Sequence, residues 1–278
     1  MNRIFFTGII VTLNLITFTC IAQAQKLPSK QTNSLRAPAD IKIDGKATEW
    51  KDQLQAYNDA VSFSYTLSNN DNELFLTVRC ALPSVVRRIM NGAISLNIYK
   101  SGQKTEKDPI SITYPLFEGN TRFRPQFFAP KPHPGGVVMF PPPQVVASEE
   151  PPLKDPIPDS LLEVNNTKFA ALAKVIGIKG IPGLDAQLSV YNDDGIKAAG
   201  RFDNLMVYTY ELSVSLKHLG LKASDAHKFL YQLKINDVEP ARAKPVNNGR
   251  GGTSYEVTAD TRLEQPATFF WADYILAK

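Results

Sequence analysis

Residues 61–80 read VSFSYTLSNNDNELFLTVRC and contain two runs of alternating residues joined by an Asn-rich turn. The apolar positions are Val61, Phe63, Tyr65 and Leu67 in the first run and Leu74, Leu76 and Val78 in the second. A period of two places one face of a strand on a core and the other toward solvent. With the Asn-rich turn between them, the two runs predict a β-hairpin.

The same period recurs through the rest of the chain. The further alternating runs are Ile94–Ile98, Ile110–Tyr114, Leu188–Val190, Tyr208–Leu216, Phe229–Ile235 and Phe270–Leu276. Only one short helix is predicted, over Ser84–Met90, with Ser84 as its cap and Gly92 just past its end. Short, regularly punctuated strands with so little helix predict an all-β protein, an antiparallel β-sandwich.

The composition is that of a globular protein with no nucleic-acid partner. The chain has 278 residues, 43% of them hydrophobic, which is too apolar for a disordered chain. Its 31 Lys and Arg against 27 Asp and Glu give a formal net charge of +4, and no block of basic residues concentrates it.

The first 24 residues have the pattern of a cleaved signal peptide. Arg3 supplies the positive start, Ile4–Ile21 the apolar stretch, and Ala22-Gln23-Ala24 the small residues before a predicted cleavage at Gln25. A retained membrane anchor is the alternative. Once the signal is removed, no other run is long enough to span a bilayer. We expect an exported protein that is periplasmic, associated with an outer membrane, or extracellular.

The predicted mature chain has a leader and one domain. Residues 25–39 are polar with two prolines and are expected to be flexible, and residues 40–278 form a single β-sandwich domain. Cys80 is then the only cysteine, so no internal disulfide stabilises the core. The thiol is expected to be a small buried apolar group rather than a nucleophile.

A proline-rich insertion, residues 125–158, interrupts the strand pattern with 11 prolines in 34 residues. Proline cannot donate a hydrogen bond to a sheet, so this segment is not a core strand. It is either a tolerated surface loop or a ligand for a protein partner that recognises proline-rich chain.

Three segments occur in the order found in a known family. They are Ile41–Trp50 (IKIDGKATEW), Asn70–Arg79 (NDNELFLTVR) and Tyr208–Leu216 (YTYELSVSL), with Ser215 where the family usually has proline. Together they resemble the family 9 carbohydrate-binding modules and their DOMON-like relatives. The resemblance implies a β-sandwich that binds a carbohydrate, often with structural calcium. The motif residues themselves are structural: Asp44-Gly45 makes a turn, and Trp50 is expected in the core.

Sugar binding needs flat aromatic faces beside polar hydrogen-bonding groups. Trp271 lies in the last strand with opposite parity to Phe270 and Tyr274, so it faces either solvent or a second core layer. Tyr99 and Tyr191 lie next to predicted turns, where they can line a cleft. These three residues are the candidate ligand-binding residues.

Asp193 and Asp194 are the candidate metal ligands, since their carboxylates lie beside Asn192 and offer hard oxygen donors for calcium. The same residues also read as a simple turn. No other cofactor is expected, because three scattered histidines and one thiol give no zinc spacing.

No catalytic residue is predicted, because the chain contains no nucleophile elbow, zinc-protease helix or phosphate-binding glycine loop. The leading hypothesis is an exported, non-catalytic ligand-binding domain that takes a carbohydrate. The alternative is a periplasmic structural or protein-interaction module. The third is a hydrolase whose paired carboxylates come together only in the fold.

Overall fold

The computed structural model describes residues 26–51, 53–119, 121–128, 150–224, 228–238, 244–247, 253–256 and 265–278. Its strands are β1 (Ala56–Asn58), β2 (Phe63–Asn69), β3 (Glu73–Cys80), β4 (Ile94–Tyr99), β5 (Ile110–Leu116), β6 (Val175–Lys179), β7 (Gln187–Ser189), β8 (Ile196–Phe202), β9 (Tyr208–Ser215), β10 (Lys228–Ile235), β11 (Lys244–Asn247), β12 (Thr253–Glu256) and β13 (Thr268–Ile275). Its helices are α1 (Pro83–Gly92), α2 (Asp159–Leu172) and α3 (Leu216–Leu219), with a 3-10 turn at Thr48–Trp50. The predicted signal peptide lies outside the described residues.

The strands form two main antiparallel sheets. The five-stranded sheet has the order β1-β2-β3-β9-β8, and the six-stranded sheet has the order β13-β10-β4-β5-β6-β7. β11 and β12 pair separately. The predicted all-β sandwich is confirmed, and so is a helix at α1. The predicted ends of that helix are wrong, because Leu82 rather than Ser84 is the N-cap and Gly92 lies inside the helix as its last residue.

The core lies between the inner faces of the two sheets, where the alternating apolar positions meet. Tyr65 of the five-stranded sheet and Tyr231 of the six-stranded sheet are fully buried, and their hydroxyl oxygens lie 3.0 Å apart. The rings of Tyr114 and Tyr210 stack across the same interface at 5.5 Å between centroids. Cys80 is fully buried and burial raises the pKa of its thiol to about 12, so the prediction of an inert apolar group is confirmed.

Polar residues on the middle strands of the five-stranded sheet are buried on the side that faces away from the core. Thr66, Thr77 and Glu211 are each less than 3% exposed, because residues 44–46 and 53–55 cover this side of the sheet. The backbone N–H of Gln55 donates to Thr66 Oγ1 at 3.0 Å. Strand alternation alone predicts solvent on this side. Hydrogen bonds to the covering segment are what allow these polar groups to be buried.

Helix α2 was not predicted from the sequence. Its buried positions are Leu161, Asn165 and Phe169, so an amide occupies the middle of the core-facing stripe. Asn165 pairs with the backbone of Gln126 through bonds of 2.8 and 2.9 Å. The amide also donates to Leu161 O at 3.0 Å, within the helix. An apolar periodicity that includes an asparagine is weak, and the sequence does not show that Gln126 will pair with this amide.

The N-terminal segment, expected to be a flexible leader, is held against the fold over its described part. The side chain of Gln31 is 7% exposed and bonds the backbone N–H and C=O of Leu67, at 2.8 and 2.7 Å. Further along, Tyr274 Oη bonds the backbone of Leu35. This segment therefore supplies hydrogen bonds to the backbone of β2, and it joins the two sheets along one side.

The proline-rich insertion is described only at residues 125–128 and 150–158. Both parts meet at α1, where the Arg87 guanidinium lies 4.8 Å from the centroid of the Phe127 ring and 2.6 Å from Glu150 Oε2. Phe127 and Ile157 are buried in the core cluster. The prediction that residues 125–158 bind a protein partner falls mainly on residues 129–149, which lie outside the described part.

Candidate functional site

Trp271 and Tyr99, two of the three predicted ligand-binding residues, are in contact on the solvent-facing side of the six-stranded sheet, called here the outer face. Their ring centroids are 4.8 Å apart, with an angle of 52° between the planes. Phe270 and Tyr274, with the opposite parity, are buried in the core. Of the two orientations that the sequence left open for Trp271, the structure therefore has the solvent-facing one.

The two rings have different accessibility. Tyr99 is only 8% exposed, whereas Trp271 is half-buried. The pKa of Tyr99 is raised by burial and by the nearby Glu106 carboxylate, so its hydroxyl stays neutral. Tyr99 supports the indole from the side, and Trp271 is the ring that a ligand can reach.

A line of polar side chains, the outer row, runs from Trp271 across the strands. Cross-strand register places Trp271, Gln232, Asn97, Ser111 and Lys179 side by side on β13, β10, β4, β5 and β6. Asn97 Nδ2 donates to Gln232 Oε1 at 2.8 Å. Four strand spacings make the row about 19 Å long. The sequence alone does not single out these amides, since their only signal is that they occupy the polar positions of their strands.

The outer row leaves hydrogen-bonding capacity unused. An amide has an acceptor oxygen and two N–H donors. Among the residues that the structure describes, Asn97 Oδ1 and Gln232 Nε2 have no hydrogen-bond partner, and neither atom is a fully buried one. The free donor belongs to Gln232, which lies beside Trp271 and is 7% exposed. The free acceptor belongs to Asn97, one strand further along the row.

The β4–β5 loop carries a cation onto this indole. Lys104 Nζ lies 5.3 Å from the centroid of the Trp271 ring. The loop is held by Glu106, whose Oε2 accepts from Ser101 N at 2.9 Å and Ser101 Oγ at 2.7 Å. Burial opposes ionisation of Glu106, but the Ser101 hydrogen bonds outweigh it and lower the pKa of the carboxyl.

Tyr191, the third predicted ligand-binding residue, is not part of this group. Its side chain is 75% exposed and follows β7, the strand at the far edge of the same sheet from β13. Five strand spacings separate those edges, about 24 Å. One small ligand cannot contact both Tyr191 and Trp271.

Asp193 and Asp194, the predicted metal ligands, are exposed in the turn between β7 and β8. Asn192 organises this turn: its Oδ1 accepts from Asp194 N at 2.9 Å, and its Nδ2 donates to Ile196 O at 2.7 Å. In the described part of the chain, no group of three or more His, Cys, Asp or Glu side chains is arranged to hold a metal ion. The calcium site stays a prediction, and the turn role is directly visible.

Glu211 is the described carboxyl group whose pKa is raised. Its Oε2 accepts from the backbone N–H groups of Asp44, Gly45 and Lys46 at 3.0, 2.9 and 3.2 Å. Burial raises the pKa to about 7, and Glu49 and Asp44 add to the rise against the hydrogen bonds that lower it. Its role is to hold the predicted Asp44-Gly45 turn, which is confirmed with Gly45 at φ +79°.

Trp50, at the end of the same motif, is half-buried and lies outside the core cluster. The prediction that it fills the core is wrong, because the motif packs on the outer side of the five-stranded sheet. The core between the sheets is filled instead by the inward residues of the strands.

Glu211 gives a prediction for the pH dependence of stability. The unfolded carboxyl has a pKa near 4.5, so the folded state binds the proton more tightly between about pH 4.5 and 7. Stability is therefore greatest below that range and falls as pH rises through about 7. From about pH 5 to about pH 8 we expect the free energy of unfolding to fall by about 2–3 kcal/mol from this group.

Chemical denaturation at both pH values measures the loss, with Glu211→Gln as the comparison. Glutamine keeps a carbonyl acceptor for the turn and has no charge to bury. The variant is expected to lose less stability over the same pH range. Parallel pH profiles for the two proteins would contradict the assignment.

Neither of two surface grooves in the described part is lined by a predicted site residue. One, of about 760 Å³, lies between the β2–β3 turn and α3, and is lined by residues that include Asn72 and Lys217. The other, of about 280 Å³, lies beside Arg79 and Pro152. Glu211 lines neither of these grooves.

Comparison with known proteins gave no match: no family model, curated protein or solved structure is similar to this chain. The resemblance to family 9 carbohydrate-binding modules therefore stays a prediction carried by its three sequence segments. Across the described helices, none is both long and apolar enough to cross a membrane.

Proposed function

We propose that this chain is an exported, non-catalytic domain that binds a carbohydrate on the outer face of the six-stranded sheet. The observation that carries the proposal is the contact between Trp271 and Tyr99 at the end of the outer row. It places a reachable aromatic ring next to free amide groups on a rigid sheet. Export, predicted from residues 1–24, would bring the face into contact with glycans outside the cytoplasm.

The chemistry of the face suits a sugar. A pyranose presents C–H groups on its faces and hydroxyls around its edge, so it needs an aromatic surface with donors and acceptors beside it. Trp271 supplies the surface, and Gln232 Nε2 and Asn97 Oδ1 supply a donor and an acceptor. Tyr99 supports the indole from the side, which reduces the ordering cost on binding.

The proposal predicts that Trp271→Ala weakens glycan binding by about tenfold or more, because the substitution removes the stacking surface. A glycan array screened with the chain finds the ligand, and calorimetry on that ligand measures the change. Tyr191→Ala is the matched control, since it removes an aromatic ring that is more exposed and lies at the other edge of the sheet. It is expected to change the affinity by less than about twofold.

The outcomes separate the alternatives. Equal loss in both variants, or loss only in Tyr191→Ala, would move the site away from the outer face. Failure to bind any glycan on the array would contradict carbohydrate binding and favour the protein-interaction role. Thermal melting of Trp271→Ala checks that the loss does not come from unfolding.

A further inference from the structure

Lys104 is a cation without a carboxylate partner at the proposed binding surface. Its ammonium group lies 5.3 Å from the centroid of the Trp271 ring, and among the described residues it forms no ion pair. The two lysines of β10 on the same face are both matched. Lys228 lies 3.3 Å from Asp273, and Lys234 lies 3.6 Å from Asp237.

Glu106 and Lys179 are two other charged residues near the outer row. Glu106, the carboxylate in the loop that carries Lys104, lies near Lys100 and is stabilised by it. At the opposite end of the outer row, Lys179 is exposed and has no ion pair within the described part of the chain. Asp273, Asp237 and Glu106 thus each have a basic neighbour. Lys104 and Lys179 form no ion pair with any residue that the structure describes.

An unpaired ammonium over an indole has a consequence for the ligand. A sugar that stacks on Trp271 must come within reach of Lys104, and a neutral sugar would displace the cation from the ring with no ionic gain. A sugar that carries a carboxylate gains a charge-assisted hydrogen bond from the same group. The opposite end of the row, about 19 Å away, offers Lys179 for a second carboxylate of the same chain.

We propose that the outer face binds an acidic polysaccharide, a polymer of uronate sugars, with Lys104 recognising the carboxylate of the sugar that stacks on Trp271. This inference rests on the proposed carbohydrate-binding function and names its ligand class. Lys179 binds a further carboxylate along the chain, and Asn97 and Gln232 bond the hydroxyls between them.

The test compares two polymers that share one backbone. Calorimetry is carried out with polygalacturonate and with its fully methyl-esterified form, in which every carboxylate is neutral. We expect the acid to bind at least about tenfold more tightly than the ester, and the difference to shrink as sodium chloride rises from about 50 to about 500 mM.

Lys104→Gln tests the residue itself. It is expected to weaken binding of the acid by about fivefold at low salt and to leave the ester unaffected, because it removes one exposed charge contact. Lys197→Gln is the matched control, since this exposed lysine lies on β8 of the other sheet and its loss gives the same change in net charge. It is expected to alter binding by less than about twofold. Lys104 is exposed, so the variant is expected to melt at the wild-type temperature.

Each contrary result has a separate meaning. Equal binding of acid and ester, or an effect of Lys104→Gln no larger than that of Lys197→Gln, would overturn the acidic-ligand inference and leave carbohydrate binding in place. Binding to a neutral glycan that is lost in Trp271→Ala would do the same. Absence of binding to the acid, the ester and every glycan on the array would overturn both proposals.

Discussion

Phe169→Ala is expected to lower the free energy of unfolding by about 3–5 kcal/mol, the usual cost of emptying a large aromatic site in a core. Phe169 is 1% exposed and docks α2 on the sandwich. Its ring meets those of Phe123, Phe202, Tyr208 and Tyr114 at centroid distances of 5.3, 5.8, 5.6 and 6.4 Å. Losing the ring leaves four aromatic neighbours without a partner on one side.

Chemical denaturation measures the change, with Val164→Ala as the control on the same helix. Val164 is 41% exposed, so its truncation removes little buried surface and is expected to cost less than about 1 kcal/mol. Equal effects of the two substitutions would show that α2 is not anchored through Phe169. The difference between the two losses of unfolding free energy measures how much stability the packing of Phe169 contributes.

Glu211→Ala is expected to lower the free energy of unfolding by about 2–4 kcal/mol at about pH 6, where the native carboxyl is largely protonated. The substitution leaves the backbone N–H groups of Asp44 and Gly45 without their acceptor, and Gly45 is buried. The N–H of Lys46 keeps its bond to Asp44 Oδ1 at 3.0 Å. Gly45 cannot move closer to compensate, because the turn already touches β8. A Cβ at Gly45 would come within 2.8 Å of Arg201 Cβ and of the Gly200 carbonyl carbon.

Glu211→Gln is the informative partner of this variant, since its amide oxygen still accepts from the turn. It is expected to lose less stability than Glu211→Ala by about 1–2 kcal/mol. Glu163→Ala, at an exposed position on α2, controls for the loss of a carboxylate and is expected to cost less than about 0.5 kcal/mol. If alanine and glutamine at residue 211 were equally tolerated, the hydrogen bonds to the turn would contribute nothing.

Some elements cannot be predicted from the sequence pattern, and the packing of the core explains why. β8 was not predicted because its inward positions include Ala198 and Gly200, which give little apolar alternation. A Cβ at Gly200 would lie 2.5 Å from Tyr208 Oη and 2.9 Å from Phe169 Cε1. The small residues are therefore required by large rings that come from two other elements.

In the candidate site, too, some features follow from the sequence and others only from tertiary contacts. The sequence predicts Trp271 from its parity in the last strand and Tyr99 from its position next to a turn, as separate aromatic residues. Their contact depends on the order β13-β10-β4, in which β10 lies between the two strands that carry them. Gln232 and Asn97 become part of the site only through this pairing. Tyr191 has equally suitable chemistry and is excluded only by its position beyond β7.

The sequence by itself determined the fold class, the strands with strong alternation, helix α1, and the parity that separates Trp271 from the core. These depend on residues close together in the chain, where a period of two or of 3.6 records which side is buried. The tertiary structure alone decided the burial of Glu211, the docking of α2, and the assembly of Trp271, Gln232 and Asn97. Each of these depends on contacts between residues far apart in sequence. Local periodicity does not indicate which distant segment will cover a given face.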